Sequence, residues 1–434
     1  MARLQEALQE LGYDVGPIDG IFGYLTLDAL RQFQREHRLA VDGKAGPEVW
    51  TTLFRPELRA RREVHIVARG ERLADVARRY GVSERFLRHT NRLTREHGLY
   101  EGRRLVIRSR YVVGAVDALA GAREADFTLR RIARHVSALA TLQFRVAPDG
   151  TLVGAWDDEA MAVCRGRGVE VLAVCRLSAA DEPPRALLHR LLHNRKTRHA
   201  CIEQWAEVLN RPDAGGLVVD LPGLLLGDGS RFVRFVQALS NAVHARGKRL
   251  IAGVPVPVRG IRGRLQLADV DWRRLAEAAD GVLLQTHVPP PGAGAPPSPH
   301  DVRQWVRALC ARVPRWKVVL GVSLGAWEGA PGSPMNELTY QQAVALAFGR
   351  GRRPVWDDRL QLHVGAYRTA GEQPEERDLW LFSAPAVAHY LQLVETYDLQ
   401  GAFFWRIGGE DGRVWREVPH RVRVYRHAET DGGI

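Results

Sequence analysis

From residue 110 onward the chain alternates between two patterns. Short runs of consecutive apolar residues, many β-branched, are followed by longer stretches in which apolar residues recur every three or four positions. The runs fall at 111–117, 136–145, 169–176, 216–221, 249–256, 281–287, 316–323 and 400–406, eight strand candidates in all. Between them, Ser230–His244 carries Phe232, Phe235, Val236 and Leu239 on one helical stripe. This alternation predicts an α/β architecture, and eight such units fit a (β/α)8 TIM barrel. The connection 324–399 is longer than a single helix requires.

The first hundred residues read differently. Leu4, Leu8 and Leu11 have helical spacing, and Leu27, Leu30 and Phe33 repeat it after a turn-rich stretch containing Asp19-Gly20. A second, shorter Asp-Gly turn at Asp42-Gly43 leads into Trp50 and Leu53. Residues 4–54 therefore predict a small three-helix unit with a half-repeated loop. After a charged connector around Pro56, His65-Ile66-Val67 starts a strand, Gly70-Glu71-Arg72-Leu73 turns into a helix, and Ser83 opens another. Gly102–Ile107 returns as a strand, which completes a βααβ unit. The expected domains are 1–56, 62–110 and 111–424.

Composition narrows the picture. A chain of 434 residues with 45% hydrophobic content suits two or three soluble globular units. No stretch approaches the roughly 20 apolar residues that span a bilayer, and Met1-Ala2-Arg3-Leu4-Gln5 enters an amphipathic pattern at once, with no secretory leader visible. Cys164, Cys175, Cys201 and Cys310 lack metal-ligand or framework spacing and read as reduced core residues. The net charge of +12 favours anionic partners, yet no basic run suits specific nucleic-acid binding.

Within the fourth apolar run, Gly215-Gly216-Leu217-Val218-Val219-Asp220-Leu221-Pro222, one carboxylate interrupts a sequence otherwise built for burial. Alternation along a strand would put Val218, Asp220 and Pro222 on one face. In a parallel barrel, the carboxyl ends of the strands build the site. The stretch resembles the fourth strand of family 18 glycoside hydrolases, in particular the spore-germination branch that carries LysM modules. The signature of that family is D-G-x-D-x-D-x-E. Here Asp220 holds its last Asp position and Pro222 stands where the catalytic Glu belongs. Other stretches are similar in part: Asp280–His287 to the sixth strand, with His287 in place of a sugar-contacting Tyr; Leu320–Trp327 to the seventh; Gly401–Gly408 to the eighth. In such relatives Trp405 would floor the sugar site, and an α+β insertion would fill 324–399.

The N-terminal unit resembles the peptidoglycan-binding domain type 1, and 62–110 resembles LysM, which binds N-acetylglucosamine-containing glycans. The resemblance implies Asp220 as an orienting remnant, with Trp405, His287, Gln285 and Trp327 as glycan-contact candidates in the barrel. In the small modules it implies Asp19, Gly20, Asp42, Gly43, Gly70, Glu71, Arg72 and Asn91. Family 18 enzymes use the substrate's own N-acetyl group as nucleophile, so the missing Glu removes the general acid. Asp228, Glu328 and Glu410 are the acids near strand ends that would have to replace it. His189 and His193 share a helical face but lack the Glu of H-E-x-x-H, and read as surface histidines. No cofactor and no metal is expected.

The combined expectation is a peptidoglycan-binding protein of the cell wall or spore envelope with an inactive barrel. The alternatives are an active spore-cortex N-acetylglucosaminidase and a structural scaffold of a spore layer.

Overall fold

Each apolar run after residue 110 becomes a strand of a closed parallel barrel. The computed structural model describes residues 1–424 except 12, 14, 17, 38, 55–61, 81–83, 85–86, 89–90, 92, 94–98, 109, 118–120, 178–182, 226, 260–264, 289–293, 331–332, 334 and 371–373. The first four barrel strands are Tyr111–Val116, Ala138–Thr141, Glu170–Cys175 and Ala214–Val219. The last four are Arg249–Val254, Gly281–Leu284, Val318–Ser323 and Gly401–Trp405. Neighbours pair in order, and the eighth strand pairs back onto the first from Gly401↔Tyr111 to Phe404↔Gly114. Consecutive residues are apolar because one face fills the barrel and the other meets the surrounding helices. Helix Gly229–His244 shows the complement: Phe232, Phe235, Val236 and Leu239 are buried while Arg234 is exposed. Each such burial stabilises by roughly 1.5–3 kcal/mol.

The fourth strand starts and ends two residues before its expected limits. Its entry contains a bulge, because pairing passes from Val171↔Ala214 directly to Leu172↔Gly216. A Cβ on Gly215 would sit 2.1 Å from Glu170 Cγ, and one on Gly216 would sit 2.0 Å from the Arg249 carbonyl oxygen. Only glycine fits between these neighbours. The Asp220 N–H still donates to the Cys175 carbonyl at 3.1 Å, extending the ladder by one residue. Pro222 lies beyond it, so the single strand face expected for Val218, Asp220 and Pro222 does not extend that far. Likewise the sixth strand stops at Leu284; the Gln285 N–H adds one more bond, to the Val254 carbonyl at 3.1 Å, and Thr286–His287 turn out of the ladder.

Between the seventh and eighth strands lies a five-stranded antiparallel sheet in the order Asn336–Leu338, Ala326–Gly329, Glu376–Leu381, Leu362–Arg368, Gly351–Asp357. Helix Tyr340–Arg350 covers it, with Ala343 and Ala347 packed on Leu379 and Leu381. This is the α+β insertion expected for 324–399. Cys164, Cys175 and Cys201 lie in the core, and Cys310 is half-buried.

Residues 1–110 form a separate compact unit together with the segment that returns from Val418. Helices Ala2–Glu10, Tyr24–His37 and Pro47–Leu53 enclose Leu4, Leu8, Leu11, Leu30, Phe33 and Leu53. Strands Arg62–Ile66 and Arg104–Arg108 pair antiparallel, with helix Leu73–Arg79 following the first. The connector around Pro56 and most of the helix expected from Ser83 lie outside the described residues. The segment from Val418, read from sequence as the end of the barrel, adds to this unit: the Arg110 N–H donates to the Arg423 carbonyl at 2.6 Å. Among the described residues no helix is long and apolar enough to cross a membrane.

Candidate functional site

At the carboxyl ends of the barrel strands, Asp220 is 2% exposed and accepts a 2.6 Å hydrogen bond from Gln285 Nε2. Gln285 reaches it because the fifth strand has Gly253, where a Cβ would lie 2.9 Å from that amide nitrogen. Two residues further, His287 is fully buried, and neither ring nitrogen has a hydrogen-bond partner. Gly321 on the seventh strand makes its space, since a Cβ there would stand 2.3 Å from Nδ1. Burial pushes the His287 imidazolium down to about 4; the nearby Asp220 charge opposes this and the Arg176 charge adds to it. His287 is a neutral ring at physiological pH.

The ring of His287 lies 5.1 Å from that of Trp405 and 5.4 Å from that of Phe403. Trp405 is 4% exposed and is followed by a cis peptide bond to Arg406. Over its indole sits the guanidinium of Arg176, 5.1 Å from the ring centroid, contributed by the residue just after the third strand. Trp327 is buried too, its indole N–H 3.3 Å from Ser323 Oγ. The structure thus brings Asp220, Gln285, His287 and Trp405 together, but packs them against protein groups. Arg176 was not singled out from sequence; a lone arginine after an apolar run carries no signal there.

The three acids weighed as replacements are each committed elsewhere. Asp228 faces His189 and His193 at 2.8 and 2.9 Å. Glu328 belongs to the insertion sheet, where it accepts from Tyr367 and from Asn336 at 3.0 Å, beside Arg377. Glu410 takes the Gly408 N–H at 2.6 Å, the Trp415 indole N–H at 2.9 Å and Arg131 at 3.1 Å. His189 and His193 are exposed as expected, but Asp228 links them, a contact the sequence reading does not foresee.

In the small modules the candidate polar residues mostly hold their own loops. Gln5, buried on the first helix, donates to Asp19 Oδ1 at 2.9 Å and accepts the Gly20 N–H at 2.8 Å. The second loop repeats the device: Gln34 donates to Asp42 Oδ1 at 2.8 Å and accepts the Gly43 N–H at 2.9 Å. The Gln5 bond and the Ile21 N–H lower the Asp19 carboxyl below its usual range; the Lys44 N–H and Gln34 do so for Asp42. Sequence reasoning missed both glutamines, although a Gln on an otherwise apolar helix face ahead of each Asp-Gly was the available signal. Glu71 accepts the Ala68 N–H at 3.0 Å and faces His65 Nε2 at 2.8 Å, while His65 Nδ1 lies 3.2 Å from the Tyr80 hydroxyl. Arg72 pairs with Asp75 at the helix start, Gly70 supplies a left-handed turn at φ +74°, and the Asn91 amide donates to the Leu87 carbonyl at 3.0 Å. Beside Asp19-Gly20, four apolar side chains are exposed as well: Ile21, Phe22, Tyr24 and Leu25.

Comparison with known proteins assigns the modules. Residues 1–53 match the family model of the putative peptidoglycan binding domain, and residues 65–108 match that of the LysM domain. Over a longer span the chain is similar to the putative sporulation-specific glycosylase YdhD of Bacillus subtilis, at 20% identity across 63% of this chain and 66% of that protein. It is also similar to the cortical fragment-lytic enzyme of the same organism, at 22% identity across 68% and 70%. The alignment thus spans about two thirds of these curated relatives. Among solved structures, the Bacillus megaterium spore cortex-lytic enzyme SleL superposes with a TM-score of 0.61 at 17% identity, covering 84% of this chain and 87% of that one. A chitinase from Chromobacterium violaceum gives 0.60 at 21% identity, covering 71% and 98%. These structural likenesses establish the barrel fold.

Proposed function

We propose that this chain, a peptidoglycan-binding domain and a LysM domain joined to a glycoside hydrolase-type barrel, binds wall glycan and does not cleave it. The observation that carries the reading is that Pro222 stands where the acid belongs, while Asp228, Glu328 and Glu410 are each held by other groups. Substrate-assisted hydrolysis needs an acid at the leaving oxygen and a carboxylate on the N-acetyl group. Asp220 fits the second role. The first position holds Pro222, and Asp228, Glu328 and Glu410 are each engaged with other side chains or backbone N–H groups. Losing general acid catalysis costs roughly 10²–10⁴-fold. The Arg176 guanidinium also covers the indole face on which a sugar ring would stack, which makes the loss greater.

Wall attachment rests on the two modules, whose individually weak contacts add through effective concentration on a repetitive polymer. The names of the relatives place those proteins in sporulation and cortex lysis, so the cell wall or spore envelope is the proposed location. The test uses the full chain, since residues 1–110 alone lack the segment from Val418 that completes their unit. The protein should pellet with insoluble peptidoglycan while releasing no reducing ends. Retention lost at moderate salt would instead reduce the binding to nonspecific attraction of a +12 chain. Turnover by the wild type that disappears in Asp220→Asn would overturn the non-catalytic reading.

A further inference from the structure

Three ligating side chains that the barrel chemistry does not use meet at the start of helix Gly229–His244. His189 and His193 lie one turn apart on helix Pro184–His193, so their imidazoles leave the same face, with ring centroids 4.1 Å apart. Asp228 occupies the N-cap position of Gly229–His244, where an aspartate ordinarily accepts an N–H of the first turn. It makes no such bond. Its Oδ2 lies 2.8 Å from His189 Nδ1 and its Oδ1 lies 2.9 Å from His193 Nε2. One ligand atom from each of the three residues falls within 4.8 Å of the others.

The anchor is fixed while the donors are reachable. The Asp228 carbonyl accepts the N–H groups of Arg231 and Phe232, and a Cβ on Gly229 would lie 1.5 Å from the Asp269 carbonyl oxygen, so the helix start rests directly on backbone. The Asp228 side chain is 4% exposed, against 47% and 39% for His189 and His193. A buried carboxylate with two solvent-facing imidazoles is a preformed set of one oxygen and two nitrogen donors.

We infer that His189, His193 and Asp228 form a binding site for a divalent transition cation of the zinc type. Imidazole nitrogens suit such ions, whereas calcium and magnesium take oxygen ligands. In the bound state each imidazole offers the lone pair of the nitrogen that now faces Asp228 and carries a proton only on its other ring nitrogen, and ligand bonds replace the two contacts to the carboxylate. Three protein ligands leave a coordination position for water, as in exchangeable rather than closed structural sites. The ion would tether the helix that follows the third barrel strand to the start of the helix that follows the fourth.

The test is metal titration of the untagged full chain after dialysis against chelator. Zn²⁺ is followed by calorimetry and Co²⁺ by its visible absorption. One equivalent should bind, and the melting temperature should rise with Zn²⁺ concentration as expected for a ligand of the folded state. His193→Ala and His189→Ala should each weaken binding by more than about 100-fold, beyond the roughly 10–100-fold that losing an outer-shell contact costs. His244→Ala, which breaks a separate exposed His–Asp pair, should leave it unchanged. Both single His changes lie on a solvent-facing helix side and keep the test valid if Asp228→Asn fails to fold. Absence of saturable binding, or unchanged affinity in the His189→Ala/His193→Ala double variant, overturns the assignment.

Discussion

His287 makes the acid response of the barrel a quantitative test of its packing. The ring is fully buried, with no partner at either nitrogen, and titrates at about 4. In the unfolded chain a histidine titrates near 6.5. Below that pH the unfolded state takes up a proton that the folded state refuses, so stability falls as pH drops from about 6.5 to about 4. Above 6.5 the term vanishes. At pH 5 the difference amounts to roughly 2 kcal/mol. His135, buried beside Trp415 and also held at about 4, mainly by burial with Arg134 adding, contributes a second term of the same sign. His287→Leu, a substitution of similar size, removes one of the two. It also removes two buried unpaired nitrogens, which should add about 1–3 kcal/mol at pH 7.5. Urea unfolding of both proteins at pH 7.5 and 5.0, followed by tryptophan fluorescence, measures each contribution. The variant should be more stable at both pH values, and should lose about 2 kcal/mol less than the wild type between them. An equal loss in the two proteins, or a less stable variant at pH 7.5, would refute the picture of a neutral, unpartnered ring.

Two further outcomes follow from named contacts. Arg176→Ala should uncover the Trp405 indole at a cost of about 0.5–2 kcal/mol in lost cation–π attraction, and N-acetylglucosamine oligomers should then quench tryptophan fluorescence in the variant alone; equal quenching in both proteins would place the sugar elsewhere. Gln34→Ala should strand the Gly43 N–H and destabilise the first unit by about 1–3 kcal/mol, read as a lower unfolding midpoint; an unchanged midpoint would refute the latch.

Barrel strands are legible because both of their faces are buried, so composition alone marks them. Asp220 is legible for the opposite reason: a charge within such a run is costly unless something receives it. Gln285 was nominated as a sugar contact; its Nε2 donates to Asp220, a pairing across 65 residues that no spacing announces. The features that escape sequence reading join positions far apart in the chain. Asp228 meets His193 across 35 residues, and Arg176 covers an indole in the last strand, neither with a spacing that could announce it. Strand ends were misjudged at 216–221 and 281–287 because burial continues past the strand through Asp220-Leu221 and Gln285–His287, and pairing, not burial, sets that limit. Glu71 and Arg72, named as glycan-contact candidates, also follow a local logic: one receives Ala68 and faces His65, and the other faces Asp75.

The paired glutamine latches also bear on how the protein ages. Asp-Gly is the dipeptide most prone to isomerise, because the glycine nitrogen can attack the preceding carboxyl group without steric hindrance and close a succinimide. That attack needs a free amide nitrogen and proceeds best through a protonated carboxyl. At Asp19-Gly20 and Asp42-Gly43 the glycine N–H is held by Gln5 and Gln34, and both carboxyls are kept ionised below their usual range. The fold thereby protects chemically two of the seven Asp-Gly linkages of the chain, the pair in the first module. Prolonged warming followed by peptide mapping should find both linkages intact in the wild type, with isoaspartate appearing at Asp42 once Gln34 is replaced by alanine.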